Sequence, residues 1–464
     1  MNKQEIISEI LIPLEKAGYQ AYFVGGCVRD TLMNKPVNDY DVVTDATPDK
    51  IKNIFNHFPL VDINSEAFGI VVVNLNGDNI EIATFRKDRE CDGRHTEVTY
   101  TSSMEEDASR RDFTINALYE DSKGNIYDPL NEGLKDIEEG NLRFIGDAQE
   151  RLKEDNLRLL RFFRFAATKS SKEGKQLTHY LPSSCVSYIL SDIFVDSFNI
   201  RVSGERIGKE MKKLISGKYA AEVIPEMMAL CFRLEKVFPV ELYKLKDQLC
   251  YNAYHTSANN FTHTIKVFKS VSNDINDFIL RTAALFHDLG KVETQTDDFH
   301  ALKHEIFSSK ITRKFLSENW KITKAEISQI CHLIEKHMEM HSLNKSKHAT
   351  KVWRFVREND FERLLILLKG DCADSPFKET DYIKLTTYKN MDFFRSQPYP
   401  EYFTGEHLSK YVDPGKYFSR GLEVANDDVA RAILKSVDGK FSINEESILK
   451  HAAQTVKELR KVGG

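Results

Sequence analysis

Between residues 19 and 120 the chain runs in short apolar stretches broken by turn residues. "AYFVGG", "DYDVV", "GIVVVNLN", "NIEIATF" and "ALYEDSKGNIYD" are rich in β-branched and aromatic residues and bounded by Gly, Asn and Asp, a pattern that predicts strands. Alternation in "NIEIATF" assigns Ile80 and Ile82 to a buried face and Glu81 to the opposite one. Short helices fall between these runs; the one over 47–57 opens on "TPDK", with Thr47 as N-cap and Pro48 in the first turn. From about 134 to 240 the apolar spacing becomes helical, most clearly in "DAQERLKEDNLRLLRFFRFAAT" and "RVSGERIGKEMKKLIS". A histidine-rich helical region follows over about 255–390, and the last seventy or so residues are mixed. The pattern predicts an α+β chain: a small α/β head over 1–133, a helical neck and body over 134–250, a further helical domain over 251–390 and a C-terminal helical tail over 391–464.

Composition narrows the class. A chain of 464 residues, 41% hydrophobic and 29% charged, is long enough for about three domains with sizeable cores. It has no apolar run near the ~18 residues of a membrane span, and "MNKQEIISEILIPLEK" lacks the zones of a signal peptide, so a cytoplasmic protein without a membrane partner is expected. Cysteines at 27, 91, 185, 231, 250, 331 and 372 form no CxxC pair and read as thiols in a reducing compartment. A net charge of −5 excludes a uniformly basic nucleic-acid binder. Any such contact needs a local stripe, and residues 201–219 supply one with six Lys or Arg against two Glu, a count that also suits a solvated helix face.

Candidate chemistry begins in "YFVGGCVRDTLMNKPVNDYDVVTDATPDKI". A strand ending on Gly25 and Gly26, followed by a helix start, presents backbone N–H groups to an anion, and Arg29 in the first turn adds a charged fork. Asp39 and Asp41, two apart on a strand, point to one face roughly 6.6 Å apart, a spacing suited to hard cations. A bare pair of this kind is equally a turn residue and a solvent-facing strand residue; the glycine turn upstream gives it a phosphate-handling context. Two Mg²⁺ ions about 4 Å apart are a known clamp for in-line phosphoryl displacement. Glu81 is a candidate third carboxylate, and an exposed strand glutamate reads the same way.

In order, "VGGCVRD…DYD", "ATFRKDRECDGRHTEVTYTSSMEEDASRRDFTINAL" and "RLKEDNLRLLRFFRF" resemble the motifs of the class II tRNA nucleotidyltransferases, the CCA-adding enzymes and their bacterial poly(A) polymerase relatives. The resemblance implies a polymerase-β-like nucleotidyltransferase head with Asp39 and Asp41 as Mg²⁺ ligands. It implies contacts of Gly25, Gly26 and Arg29 with the incoming triphosphate, and of Arg111, Asp112 and Asn116 with the ribose. Asp155, Arg158, Arg161 and Arg164 match the motif that serves as a protein template for the base. Helical geometry would put Asp155 and Arg158 on one face, where a carboxylate and a guanidinium pair with a base edge; an intrahelical salt bridge uses the same spacing. Segment 86–103 resembles the loop that switches members from CTP to ATP, and "EAFGIVVVNLNGDNIEIATFR" is more similar to the CCA-adding version than to the poly(A) polymerases. Asn34, Tyr40 and Asn156 depart from the usual pattern without removing a reacting group.

"HTIKV…ALFHDLGK…H…H…D" resembles an HD domain, a helical metal-dependent phosphohydrolase module. It implies His263, His287, Asp288 and Asp371 as ligands, with Asp374 competing for the last place, and His304 and His337 for a second ion. Imidazole and carboxylate together suit Mn, Fe, Ni or Zn. An isolated His-Asp pair is more often a surface pair. The sequence therefore leads to a CCA-adding enzyme using CTP, ATP and the tRNA 3′ acceptor end, with an A-adding enzyme or a poly(A) polymerase as alternatives inside the family. A metal phosphohydrolase and a tRNA-binding protein with decayed sites are the readings of other classes. Oligomeric state is open.

Overall fold

The computed structural model describes residues 2–37, 39–61, 69–88, 98–249, 257–296, 300–343, 355, 360–372, 403–435 and 444–462. The chain divides into two compact units, residues 1–238 with 318–322, and residues 239–317 with 323–464.

The first unit is built on a seven-stranded sheet. Its strands are β1 (Ala21–Val24), β2 (Asp41–Thr44), β3 (Leu60–Val61), β4 (Ile70–Leu75), β5 (Asp78–Thr84), β8 (Tyr119–Glu120) and β9 (Ile126–Tyr127), in the order β3-β4-β5-β2-β1-β8-β9. Within this sheet, among the described residues, only β2 and β5 pair in parallel, with Asp41 opposite Glu81 and Val42 opposite Ile82. Ile80 and Ile82 are fully buried and Glu81 is exposed, as their alternation predicts. A separate two-stranded ribbon pairs β6 (Arg86–Asp88) with β7 (Val98–Tyr100). The core of the expected switching loop, residues 89–97, lies outside the described residues.

Gly25 makes the turn out of β1 at φ +72°, in the left-handed region that side chains avoid, and helix α1 (Gly26–Leu32) follows at once. Thr47 and Pro48 open the helix Pro48–Ile54 as expected, although the threonine side chain makes no capping hydrogen bond. Beyond the sheet, Phe113, Phe144, Phe162 and Phe165 pack together with ring centroids 5.0–5.4 Å apart along successive contacts, Phe144 and Phe162 stacked and the others tilted or edge-on. This cluster ties "RRDFTIN" to the helix that carries the arginines.

The run "DAQERLKEDNLRLLRFFRFAAT" is two helices and not one. Helix α2 (Ala148–Glu154) ends at Asp155, whose backbone is extended (φ −146°, ψ 105°), and α3 (Arg158–Thr168) begins three residues on. Asp155 and Arg158 therefore do not share a helical face. Asp and Asn offer the backbone local hydrogen bonds that compete with the helix: Asp155 accepts from the amide of Leu157 at 3.1 Å and Asn156 donates to the carbonyl of Leu152 at 2.9 Å. On α3 the apolar residues Leu159, Leu160, Phe162, Phe163, Phe165, Ala166 and Ala167 are buried, leaving Arg158, Arg161 and Arg164 along the half-buried side. Helix α4 (Gly204–Ile215) packs on α3, and its outward side presents Arg206, Lys209, Lys212 and Lys213.

The second unit is helical. Helices α5 (Asn260–Asp274), α6 (Phe278–Phe286), α7 (His304–Phe315), α8 (Lys324–Leu343) and α9 (Phe361–Cys372) form one bundle around α6, which is buried along its whole length. Two further helices, α10 (Phe418–Lys435) and α11 (Glu445–Val462), have their own core of Leu408, Ala425, Val429, Leu449, Ala452 and Val456.

Candidate functional site

In the first unit the β2–β5 register brings Asp41 and Glu81 side by side, with Asp39 two residues before Asp41. Burial, then Glu81 and Asp39, push the Asp41 carboxyl up, and the Arg111 guanidinium opposes them. Among the described residues none of the three carboxylates is in an ion pair or a side-chain hydrogen bond. Crowded carboxylates repel one another, and Arg111 offsets only part of that push on Asp41. This donor set fits a hard divalent cation.

Beside the carboxylates runs a connected polar chain. Arg29, buried, donates from Nη1 to Asn116 Oδ1 at 2.5 Å; Asn116 donates to Asp112 Oδ1 at 2.8 Å; Arg161 donates from Nε to Asp112 Oδ2 at 3.0 Å. Burial would raise the Asp112 carboxyl, but Arg161, Asn116 and the amide of Phe113 outweigh it and hold it low. Four of the expected nucleotide contacts thus form one network. Arg111 lies close by: a Cβ on Gly25 would come within 3.5 Å of its Nη1.

Several residues that sequence reading passed over hold these groups. Asp107, fully buried, accepts from Arg110 (2.6 Å), from Arg111 (2.9 Å) and from the Tyr119 hydroxyl (2.9 Å). Its spacing of three and four before two arginines that follow the end of helix Met104–Ser109 is a readable signal. Arg164 donates to Glu210 on α4 at 2.5 Å and lies 4.2 Å over the Phe165 ring. Asp155 pairs with Arg206 at 2.7 Å, whereas Arg158 pairs with Glu154 and donates to the carbonyl of Arg110 at 3.2 Å. The expected Asp155–Arg158 couple is therefore two couples, because the helix break turns Asp155 toward α4.

The second unit gathers His263, His287, Asp288, His304, His337 and Asp371 from five consecutive parts of its bundle. Asp374 lies outside the described residues. Two triads share Asp288: His263 and His287 face its Oδ2 at 3.7 and 3.3 Å, and His304 faces its Oδ1 at 3.2 Å with His337 beside it. Gly290 leaves no room for a side chain, since a Cβ would sit 2.2 Å from the carbonyl of His304. The glycine of "HDLGK" is thus what lets α7 bring His304 to the cluster.

Hydrogen bonding fixes the rings. Nδ1 of His287, His304 and His337 lies 2.9, 2.9 and 2.6 Å from the carbonyls of Ala284, Ala301 and Ile334. A carbonyl only accepts, so Nδ1 of each ring carries a proton and Nε2, the atom that can offer a lone pair, is the one turned inward. Burial, then His304 and His287, push His337 well below the usual histidine range, so it is neutral. Its Nε2 faces that of His304 at 3.2 Å, and the buried Nε2 of His287 has no hydrogen-bond partner. Lone pairs facing one another and a carboxylate repel unless a cation lies among them, and the cluster fits one or two transition-metal ions.

Comparison with known proteins follows the same division. Residues 21–143 match the poly A polymerase head domain family and residues 260–369 the HD domain family. A CCA-adding enzyme of Streptococcus pyogenes serotype M3 is 47% identical over 161 residues, 34% of this chain and 39% of that enzyme. That of Geobacillus thermodenitrificans is 38% identical over 218 residues, 47% of this chain and 50% of that enzyme. The match thus spans half or less of the curated relatives. The Bacillus stearothermophilus CCA-adding enzyme in complex with CTP superposes with a TM-score of 0.61 at 24% identity, over 100% of both chains. The Thermotoga maritima enzyme complexed with tRNA gives 0.60 at 18%, over 97% of this chain and 94% of that one. The α+β fold is shared with CCA-adding enzymes. No helix among the described residues is long and apolar enough to cross a membrane.

Proposed function

We propose that this chain, which carries a poly A polymerase head domain and an HD domain, is a CCA-adding tRNA nucleotidyltransferase of the cytoplasm. It extends the tRNA 3′ end by C, C and A from CTP and ATP without a nucleic-acid template. The observation that carries this reading is the pairing of Asp41 with Glu81 across β2 and β5, beside Asp39 and the Arg29–Asn116–Asp112–Arg161 chain.

In the reaction the tRNA 3′-hydroxyl attacks the α-phosphate of the incoming nucleotide and pyrophosphate leaves. Asp39, Asp41 and Glu81 would hold Mg²⁺, which supplies charge neutralisation on the phosphates and a more acidic hydroxyl. The Gly25–Gly26 turn, Arg29 and Arg111 bind the triphosphate, and Asn116 and Asp112 meet the ribose hydroxyls, which separates NTP from dNTP. Asp155, Arg158, Arg161 and Arg164 read the base edge. Each already has an intramolecular partner, so a bound base replaces an ion pair and fills no void. The outward lysines of α4 grip tRNA phosphates.

Asp41→Asn tests the reading. It is expected to lower extension of tRNA at least about 100-fold while the thermal midpoint stays within a few degrees. Unchanged extension would sink it. Addition of the final A alone, or of a long A tail, would assign the same site to an A-adding enzyme or a poly(A) polymerase. The inward-facing Nε2 atoms of the second unit favour a further activity, hydrolysis of phosphoesters on RNA ends or nucleotides with Mn, Fe, Ni or Zn bound.

A further inference from the structure

Asp371 is approached from both sides. His263 Nε2 lies 2.8 Å from Oδ1, and Nε2 of His341, a residue absent from the expected ligand set, is hydrogen-bonded to Oδ2. His341 follows His337 by one turn on α8. It differs in one respect from three histidines of the cluster. His287, His304 and His337 each have Nδ1 on a backbone carbonyl, which leaves Nε2 bare and aimed inward; the Nδ1 of His341 is buried with no partner. A buried N–H without an acceptor is costly, whereas a bare ring nitrogen gives up less, so the proton of His341 belongs on Nε2, donated to Asp371.

We infer that His341 is a positioning residue of the metal centre: its Nε2–H holds Asp371 Oδ2 and so turns Oδ1 toward the ion shared with His263, His287 and Asp288. The inference rests on the reading of this cluster as a metal site. It gives His341 a role opposite to that of its neighbour four residues earlier, which offers a lone pair. The two oxygens of a carboxylate are chemically equivalent until a donor engages one of them. The donor makes them different. Outer partners of this kind are worth 10–100-fold in metal affinity in known sites.

The test is Mn²⁺ binding followed by electron paramagnetic resonance, on full-length chains carrying Asp39→Ala and Asp41→Ala so that only the second unit is read. His341→Ala should weaken Mn²⁺ binding about 10–100-fold without changing stoichiometry, and His341→Gln, whose amide N–H can reach the same carboxylate, should recover most of it. Thermal midpoints in EDTA should agree among the three proteins. Equal affinity in His341→Ala, or a His341→Gln variant as weak as the alanine, would overturn the inference, the latter by making His341 a ligand. Absence of Mn²⁺ binding in the His341 parent would overturn the metal reading itself.

Discussion

Asp107 decides how Arg110 and Arg111 sit, and it can be tested alone. Burial alone would raise its carboxyl, but Arg111 and Arg110 hold it below the ordinary carboxylate range. A group depressed in the folded state stabilises fully above its unfolded pKa and loses that contribution as pH falls through the folded value. Stability contributed by Asp107 should therefore be constant from neutral pH to about 5 and fall below about pH 4. Asp107→Asn is expected to cost about 3 kcal/mol at pH 7, because two guanidinium groups lose their carboxylate, and less at pH 3. Denaturant titrations at both pH values check this; an equal loss at the two would contradict it. Single residues also mark what was readable in the sequence. The alternation around Glu81 was visible in seven residues, yet its placement opposite Asp41 depends on a parallel pairing of strands some forty residues apart, which no local pattern encodes. His341 has a local signal, the one-turn spacing from His337, but the sequence does not show that its ring meets Asp371.

At the scale of elements, local hydrogen bonding overrode periodicity in one place that matters. Apolar spacing runs unbroken from 148 to 168, but Asp155 and Asn156 satisfy backbone groups locally and split the run, which sends Asp155 to Arg206 on α4. The α2 and α3 sequences each read correctly as helices; the break is a competition between side-chain and backbone acceptors that hydropathy does not register. In the bundle, close approach of α7 at Gly290 sets the position of His304. Gly290→Ala should destabilise the second unit by about 1–3 kcal/mol, since backbone must shift to admit the methyl group. It should also weaken metal binding, whereas Ala at the half-buried Gly174 of the first unit, strained at φ +78° but with open space around it, should leave metal binding unchanged. Metal titration of both variants decides the matter.

Over the whole molecule the charge balance is slightly acidic, so attraction to RNA must be local. Lys209, Lys212 and Lys213 stand together on the outward side of α4, whose Glu210 and Arg206 hold Arg164 and Asp155. Replacing the three lysines by Ala should reduce the slope of log affinity for tRNA against log salt by about 2–3, each phosphate contact contributing about 0.9. An unchanged slope in a filter-binding series would remove α4 from the interface. Composition and pattern made the α+β class and the two candidate sites legible, because each site sits on a dense motif within one unit. Some polar partners that hold those motifs, such as Asn116 for Arg29, Glu210 for Arg164 and Arg206 for Asp155, come from distant parts of the chain, and only the fold reveals them.

The central claim is that the β2–β5 carboxylates and the α3 arginines build C, C and A in order. It is tested most directly by gel-resolved extension of a tRNA ending at the discriminator base, with CTP alone, ATP alone and both. Arrest after two C residues with CTP alone, completion by a single A when both are present, and loss of both products in Asp41→Asn are expected. Extension that continues past one A, or that ignores CTP, would contradict it.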